Sequence, residues 1–104
     1  SNINNIQIAM EKFVSEGLGK PAISEKVKVA GASGSSQISR DDKEITEYVV
    51  MFCGYFPTEK PKYSVIVSMN KLGLPASGSV MAGSVFREIV DCITEKESLH
   101  AIKE

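Results

Sequence analysis

The sequence predicts an α+β fold in which a helix, a three-stranded antiparallel meander and a second helix follow one another. Apolar residues recur at intervals of three and four near both ends of the chain, whereas β-branched and aromatic residues cluster in the middle. The connections between the middle segments are too short for a crossover helix, so the strands are expected to pair antiparallel in chain order. With 104 residues, the chain 1–104 is expected to form a single unit with one core.

Composition excludes several classes of function. Lys and Arg total 12 and Asp and Glu total 13, so the net charge of −1 leaves no basic footprint, and no nucleic-acid partner is expected. There is no continuous apolar run of the roughly 20 residues that a membrane-spanning helix needs. Two cysteines and one histidine are too few for a tetrahedral zinc site, so no metal or other cofactor is expected. Cys53 and Cys92 are interpreted as buried structural thiols, with a disulfide left open.

The first helix is predicted at about residues 3–16. Its apolar positions recur with helical spacing: Ile3, Ile6, Met10, Phe13 and Val14. Gly17 and Gly19, followed by Pro21, are typical of a helix end.

Three strands are predicted, at about 27–39, 47–56 and 63–69. A polar loop at 40–44 separates the first two, and a proline-containing turn at 57–61 separates the last two. Residues 48–56 are apolar at both odd and even positions, which indicates a strand covered on both faces.

The second helix is predicted at about residues 79–94. Its apolar positions follow the i, i+3, i+4, i+7, i+8 pattern: Ala82, Val85, Phe86, Ile89, Val90 and Ile93. Ser79 is expected to be the N-cap because serine side chains accept hydrogen bonds from the first helical amides.

Small and hydroxyl residues fill the first strand at 29–37, which reads Val-Ala-Gly-Ala-Ser-Gly-Ser-Ser-Gln. On these residues alone, the segment is either a strand edge or anion-binding nest that contacts a ligand, or a plain Gly/Ser-rich strand. It matches neither the P-loop nor the dinucleotide-binding glycine pattern.

This segment resembles the Val-Ala-Gly-Lys-Thr-Gly-Thr-Ala-Gln strand of class B penicillin-binding proteins, the division and elongation type. Residues 52–67 are similar to that family's Phe-x-Gly-Tyr-x-Pro-x-x-x-Pro-x-Tyr hairpin, and 78–89 to its Gly-x-x-x-Ala-x-Pro-Val-Phe-Lys-Glu-Ile helix. The three motifs follow in the family's order and cover most of 27–93. The chain thus resembles the C-terminal portion of the transpeptidase domain, a part of the fold shared by penicillin-binding proteins and serine β-lactamases.

The resemblance implies a substrate-binding role for Ala32, Ser33, Gly34 and Ser35. In the family, the Lys-Thr-Gly strand binds the carboxylate of a peptidoglycan stem peptide or a β-lactam. Ser33 keeps the hydroxyl, Gly34 keeps the close approach to the backbone, and the N–H of Ser35 is placed to serve an oxyanion. Ala32 stands where the family has lysine, which removes an interaction worth about 1.5 to 3 kcal/mol.

The resemblance also implies that no catalytic residue lies in this chain. The family's nucleophile is the serine of a Ser-x-x-Lys motif at a helix N-terminus, and a Ser-x-Asn motif supports it. Ser68-Met69-Asn70-Lys71 matches both patterns as bare letters, but Ser68 is at the end of a predicted strand, where residues i and i+3 point to opposite faces. Both motifs are therefore expected upstream of this chain, which alone is expected to be inactive.

Three functions follow from these patterns. The first is part of a peptidoglycan-cross-linking D,D-transpeptidase, the second a non-catalytic scaffold or sensor of the same family, and the third an unrelated α+β binding module. Expected partners are stem peptides and β-lactams, through the larger protein, together with the upstream part of the same domain. Self-association of the chain is also expected. The resemblance implies a location on the periplasmic face of the inner membrane, with the membrane anchor outside this chain.

Overall fold

A computed structural model describes residues 2–38, 46–73 and 76–103, with side chains described up to residue 99. The elements in chain order are helix α1 (Asn2–Ser15), a 3-10 turn (Lys20–Ala22), strands β1 (Ala30–Ile38), β2 (Glu47–Phe56) and β3 (Tyr63–Leu72), a π-helical turn (Gly78–Ala82) and helix α2 (Gly83–Lys103). This order confirms the predicted α+β class with an antiparallel meander. The predicted loop at 40–44 lies outside the described residues.

Some element bounds differ from the sequence-based expectation. β1 begins at Ala30 rather than near residue 27; in the preceding segment, the Lys28 carbonyl accepts from the amide of Thr58, beyond the end of β2, at 3.2 Å. The second helix begins with a π-helical turn and continues to Lys103 rather than ending near residue 94. Apolar periodicity fades after Ile93, but no glycine or proline follows to stop the helix.

The sheet has the order β1-β2-β3, and its register defines two faces. Side chains alternate between faces along each strand, so a residue shares a face with its directly opposite partner. Phe52 is opposite both Ser33 and Val67, and these three residues lie on the face that the helices cover, here called the helix face. Cys53 is opposite both Ala32 and Ile66, and these lie on the other face, here called the outer face.

The core lies between the helix face and the helices. Its largest fully buried side chains are Phe52, Phe56, Phe86, Val50 and Val90. The Phe52 and Phe86 rings are 4.8 Å apart between centroids and tilted by 47°. This contact fixes α2 over the centre of β2.

The outer face is exposed within the part of the chain that the structure describes. Met51 is 43 % exposed and Ile66 is 76 % exposed, although both side chains are apolar. The expectation that β2 is covered on both faces therefore holds here for the helix face alone. Exposed apolar side chains on a sheet face are typical of a surface that another part of a protein covers.

Acidic residues of α2 hold two other segments against the helix. Ser24 donates a hydrogen bond to Asp91 at 2.5 Å, and Lys26 forms an ion pair with Glu95. Glu97 accepts from Lys62 at 2.5 Å and from the Tyr63 hydroxyl. These contacts join α2 to the segment before β1 and to the start of β3.

The structure describes both cysteines of the chain. Both cysteines are free thiols; Cys53 is half-buried and Cys92 is exposed, so the expectation of two buried thiols is wrong for Cys92. Cys92 lies on the solvent-exposed side of α2, outside the apolar stripe of that helix.

None of the helices in the described ranges is long and apolar enough to cross a membrane.

Candidate ligand-binding strand

The residues that the resemblance singles out lie together in the middle of β1, an edge strand of the described sheet. Ala32, Ser33 and Ser35 are exposed, and Gly34 is half-buried. Small side chains leave the backbone of this strand accessible, which is what a ligand needs to approach its amide groups.

Gly78, the first residue of the π-helical turn, packs against the backbone of this strand. A Cβ atom on Gly78 would lie 2.5 Å from the carbonyl oxygen of Gly34, 2.6 Å from that of Met51 and 3.1 Å from the Gly34 nitrogen. Position 78 therefore accepts only glycine without a shift of the backbone.

The same distances identify the hydrogen-bonding pattern of β1. Gly34 and Met51 are directly opposite each other, and their carbonyl oxygens both lie within 2.6 Å of one point. This requires both carbonyls to point towards the opposite strand, where each accepts from the N–H of the partner residue, as in a hydrogen-bonded antiparallel pair. Because the pattern alternates along a strand, the N–H groups of Ser33 and Ser35 point away from β2, towards the outer edge of β1.

This arrangement offers an anion or an extended peptide a row of donors. Outward N–H groups on an edge strand can pair with a peptide strand added alongside. The Ser35 N–H points to the open edge of β1, and Ser33 in the same strand carries a hydroxyl that can donate.

The Ser33 hydroxyl is in turn bonded to the π-helical turn. The Oγ atoms of Ser33 and Ser79 are 3.0 Å apart, and either hydroxyl can donate. Ser79 is 8 % exposed, whereas Ser33 is exposed. The contact joins a buried hydroxyl of the helix layer to an exposed hydroxyl of the candidate strand.

The expectation that Ser79 is the N-cap is wrong. Ser77 caps this end instead, since its side chain accepts from the Val80 amide at 3.1 Å. The helical segment starts earlier than the apolar periodicity indicated, so the cap lies two residues upstream. Sequence reasoning missed the role of Ser79 because its partner, Ser33, is 46 positions away.

Ala32 lies in an apolar row that crosses the outer face. It is opposite Cys53, which is opposite Ile66, so this row of the described sheet contains no cation. Lys28 is four residues away along the chain, or ~13 Å at about 3.3 Å per residue. Its carbonyl is bonded to Thr58 beyond the end of β2. The structure thus shows no substitute for the missing lysine in this row.

Ser68 and Lys71 lie in β3, where a spacing of three points them to opposite faces of the sheet. This geometry differs from one turn of a helix, which would bring the two side chains together. Ser84, which stands where the related motif has proline, lies in the first turn of α2 and donates to the Val80 carbonyl at 2.6 Å.

Three of the shifted pKa values belong to the contact between Glu97 and the start of β3. Hydrogen bonds from Lys62 and then Tyr63 hold the pKa of Glu97 below its usual 4.5. The same hydrogen bonds to Glu97 raise the pKa of Lys62 above 10.5 and that of Tyr63 above 10.0. Burial and the nearby charge of Glu11 raise the pKa of Tyr55. None of these four residues belongs to the segment 32–35.

A cleft formed by the described residues lies away from the segment 32–35. Its volume is about 270 Å³, and Val14, Ile23, Lys28 and Thr58 are among the residues that line it, between α1 and the segment that leads into β1. The candidate site is instead an open strand edge, which is the shape expected when another part of a protein supplies the opposite wall.

Comparison with known proteins agrees with this geometry. Residues 1–91 match the family profile described as the penicillin-binding protein transpeptidase domain. The chain is 31 % identical over 87 residues to stage V sporulation protein D of Bacillus subtilis (strain 168), covering 82 % of this chain and 14 % of that protein. It is 25 % identical over 89 residues to a peptidoglycan D,D-transpeptidase FtsI homolog of Chlorokybus atmophyticus, covering 83 % of this chain and 13 % of that protein. The chain therefore spans about a seventh of the length of these relatives.

Solved structures show the same fold. The transpeptidase domain of the FtsI4 D,D-transpeptidase from Legionella pneumophila superposes with a TM-score of 0.71 at 30 % identity, covering 84 % of this chain and 33 % of that one. The transpeptidase domain of penicillin-binding protein 3 from Burkholderia pseudomallei superposes with a TM-score of 0.70 at 24 % identity, covering 90 % of this chain and 29 % of that one. The three-stranded sheet and its helices thus correspond to part of a larger domain in both structures.

Proposed function

The chain belongs to the penicillin-binding protein transpeptidase family, and we propose that it forms one wall of the catalytic cleft of a D,D-transpeptidase. In this proposal, the larger protein cross-links peptidoglycan stem peptides through a serine acyl-enzyme. Family membership confirms the assignment made from the three sequence motifs. The alternative of an unrelated α+β module is wrong, because the family match extends over residues 1–91.

One observation supports the role of β1 most directly. Its edge presents the N–H groups of Ser33 and Ser35 outwards, beside the exposed Ser33 hydroxyl. In the proposed reaction, a serine outside this chain attacks the carbonyl carbon of a stem peptide or a β-lactam, and an ester forms as the carbon–nitrogen bond breaks. The nitrogen takes up the proton lost by the serine and leaves as the amine of the terminal residue of the peptide, or stays attached in the opened lactam. The Ser35 N–H donates to the oxyanion that develops, and the Ser33 hydroxyl donates to the substrate carboxylate.

Ala32 modifies this proposal. Without a lysine at this position, the substrate carboxylate loses a charge-assisted interaction of about 1.5 to 3 kcal/mol, roughly ten- to a hundredfold in affinity. We therefore expect the larger protein to be acylated slowly, or to act where the local substrate concentration is high. Because catalysis depends on the serine nucleophile and the oxyanion donors, the loss of the cation alone does not remove the reaction.

Ala32 also favours a second function, a non-catalytic scaffold or sensor in cell-wall assembly. In that case the family fold is retained for contacts with other proteins, and β1 binds substrate weakly or not at all. The two functions differ in whether the larger protein forms a covalent adduct.

The exposed outer face indicates the partner of this chain within the larger protein. The chain corresponds to 33 % of the Legionella transpeptidase-domain chain, so about two thirds of such a domain lies outside the matched part. We propose that the remainder of the domain covers the outer face around the exposed side chain of Ile66. We propose that the larger protein acts on the extracytoplasmic side of the inner membrane, with its anchor outside this chain.

The test is covalent labelling of the full-length protein with a fluorescent penicillin. A labelled band that unlabelled penicillin competes away, and that is lost when the upstream Ser-x-x-Lys serine is replaced by alanine, is the expected result. A protein that has no such motif upstream and does not label contradicts the transpeptidase and favours the scaffold.

A further inference from the structure

Ser79 is a buried polar residue beside the candidate strand, and its role is not explained by helix capping. It is 8 % exposed, lies in the second position of the π-helical turn, and is not the cap of that turn. Its Oγ is 3.0 Å from that of Ser33, an exposed residue whose hydroxyl is the proposed donor to the substrate carboxylate. The turn itself is held in place because Gly78 packs against the backbone of Gly34 and Met51.

We infer that Ser79 is a positioning residue that turns the Ser33 hydroxyl towards an anionic ligand on β1. A serine hydroxyl carries one proton and two acceptor lone pairs. If Ser79 donates to Ser33, the proton of Ser33 remains available for a carboxylate at the strand edge. If Ser33 donated to Ser79 instead, its lone pairs would face the anion and repel it. An anion therefore selects the arrangement in which Ser79 donates to Ser33, and Ser33 donates to the anion.

This relay has the greatest effect where the cation is missing. Hydrogen bonds arranged in a chain polarise one another, so the Ser33 hydroxyl becomes a stronger donor when Ser79 donates to it. The row that contains Ala32 has no cation to attract the carboxylate. The two hydroxyls thus replace a part of the lost attraction with aligned dipoles. The inference rests on the proposed function, since it requires that β1 bind an anion.

The test measures acylation of the full-length protein by benzylpenicillin in two steps, the dissociation constant of the non-covalent complex and the first-order rate of acylation. Ser79→Ala is expected to weaken the non-covalent complex about 2- to 10-fold, the range of one neutral hydrogen bond, and to leave the acylation rate unchanged. Ser33→Ala is expected to weaken it at least as much. In the double variant, the loss is expected to equal that of Ser33→Ala alone, because Ser79 acts only through Ser33.

Ser84→Ala is the matched control, since it removes a serine hydroxyl that bonds to the Val80 carbonyl in the same helical layer. If Ser79→Ala unfolds the protein, Ser79→Cys takes its place in the cycle, because cysteine nearly keeps the size of the side chain and replaces the hydroxyl with a weak thiol donor.

Each outcome decides between the inferences. Unchanged binding in Ser79→Ala, additive losses in the double variant, or an equal fall in both steps would show a structural role and overturn the relay while leaving the proposed function intact. If the unsubstituted protein forms no adduct with benzylpenicillin, both the proposed function and the relay are contradicted.

Discussion

Gly78 and Gly34 lie backbone to backbone where the π-helical turn meets the sheet. A Cβ on Gly78 would be 2.5 Å from the Gly34 carbonyl oxygen, whereas a Cβ on Gly34 would meet only the Met51 side chain, 3.6 Å away at its nearest atom. The two glycines are therefore needed for different reasons. Gly78 sets the distance between the helices and the sheet, and Gly34, in the proposed function, leaves the strand open to a ligand.

Gly78→Ala is expected to destabilise the chain because the added methyl group must push the turn away from the strand. Overpacking of this kind costs about 1 to 3 kcal/mol. Gly34→Ala is the matched control, since ordinary van der Waals contact awaits its Cβ. Urea unfolding of the 104-residue chain measures both; equal stability of the two variants would contradict the packing described for Gly78.

Ser77→Ala is expected to lower the free energy of unfolding by about 1 kcal/mol, because it removes the N-cap of the helical segment. Ser84→Ala removes a hydroxyl of the same layer that bonds back to the Val80 carbonyl, and a loss near zero is expected there. Thermal unfolding of both variants measures the difference. A larger loss for Ser84→Ala than for Ser77→Ala would show that Ser77 is not the cap.

Much of the fold could be predicted because its signals are local. The helical spacing from Ile3 to Val14, the β-branched residues of β3 and the short connections are sufficient for a helix, a meander and a helix. The apolar stripe begins only at Ala82, so the sequence indicates a cap at Ser79, whereas the π-helical turn that precedes α2 moves the cap to Ser77.

The motif is sufficient to locate the candidate strand in the sequence, but it does not predict the direction of the amides or the side-chain contacts of that strand. The direction of the Ser33 and Ser35 amides follows from the pairing of Gly34 with Met51, and the Ser33–Ser79 contact joins residues 46 positions apart. Both depend on tertiary packing, for which a single sequence has no local pattern.

The contact between Glu97 and the start of β3 predicts a pH dependence. Hydrogen bonds from Lys62 and Tyr63 hold the pKa of Glu97 below 4.5, so the unfolded chain binds more protons than the folded chain as the pH falls. The stabilisation is therefore present above 4.5 and is lost as the pH falls through the lower, folded pKa. Glu97→Gln is expected to be less stable than the unsubstituted chain near neutral pH, and this difference is expected to shrink in acid.

The matched control for this prediction is Glu88→Gln, which removes a charge from another exposed glutamate of α2. Urea unfolding across a pH series measures all three proteins. A difference between Glu97→Gln and the unsubstituted chain that stays constant into acid would contradict the role of the Glu97 carboxylate.

The outer face predicts that the 104-residue chain self-associates when the rest of the domain is absent. Ile66 is 76 % exposed at the centre of this face, so Ile66→Lys is expected to shift sedimentation towards the monomer. Leu18→Lys is the matched control, because Leu18 is 81 % exposed but lies in the turn after α1. A monomeric unsubstituted chain, or an equal effect of both variants, would contradict an association through the outer face.

The central claim is that β1 binds the carboxylate of an acylating ligand, and restoring the lysine at position 32 tests it most directly. In the full-length protein, Ala32→Lys is expected to raise the second-order rate of benzylpenicillin acylation by roughly ten- to a hundredfold. Ser36→Lys, which places the same charge on the same face of the same strand, is expected to raise it far less. An equal effect of the two lysines, or no increase with Ala32→Lys, would contradict carboxylate binding at this strand.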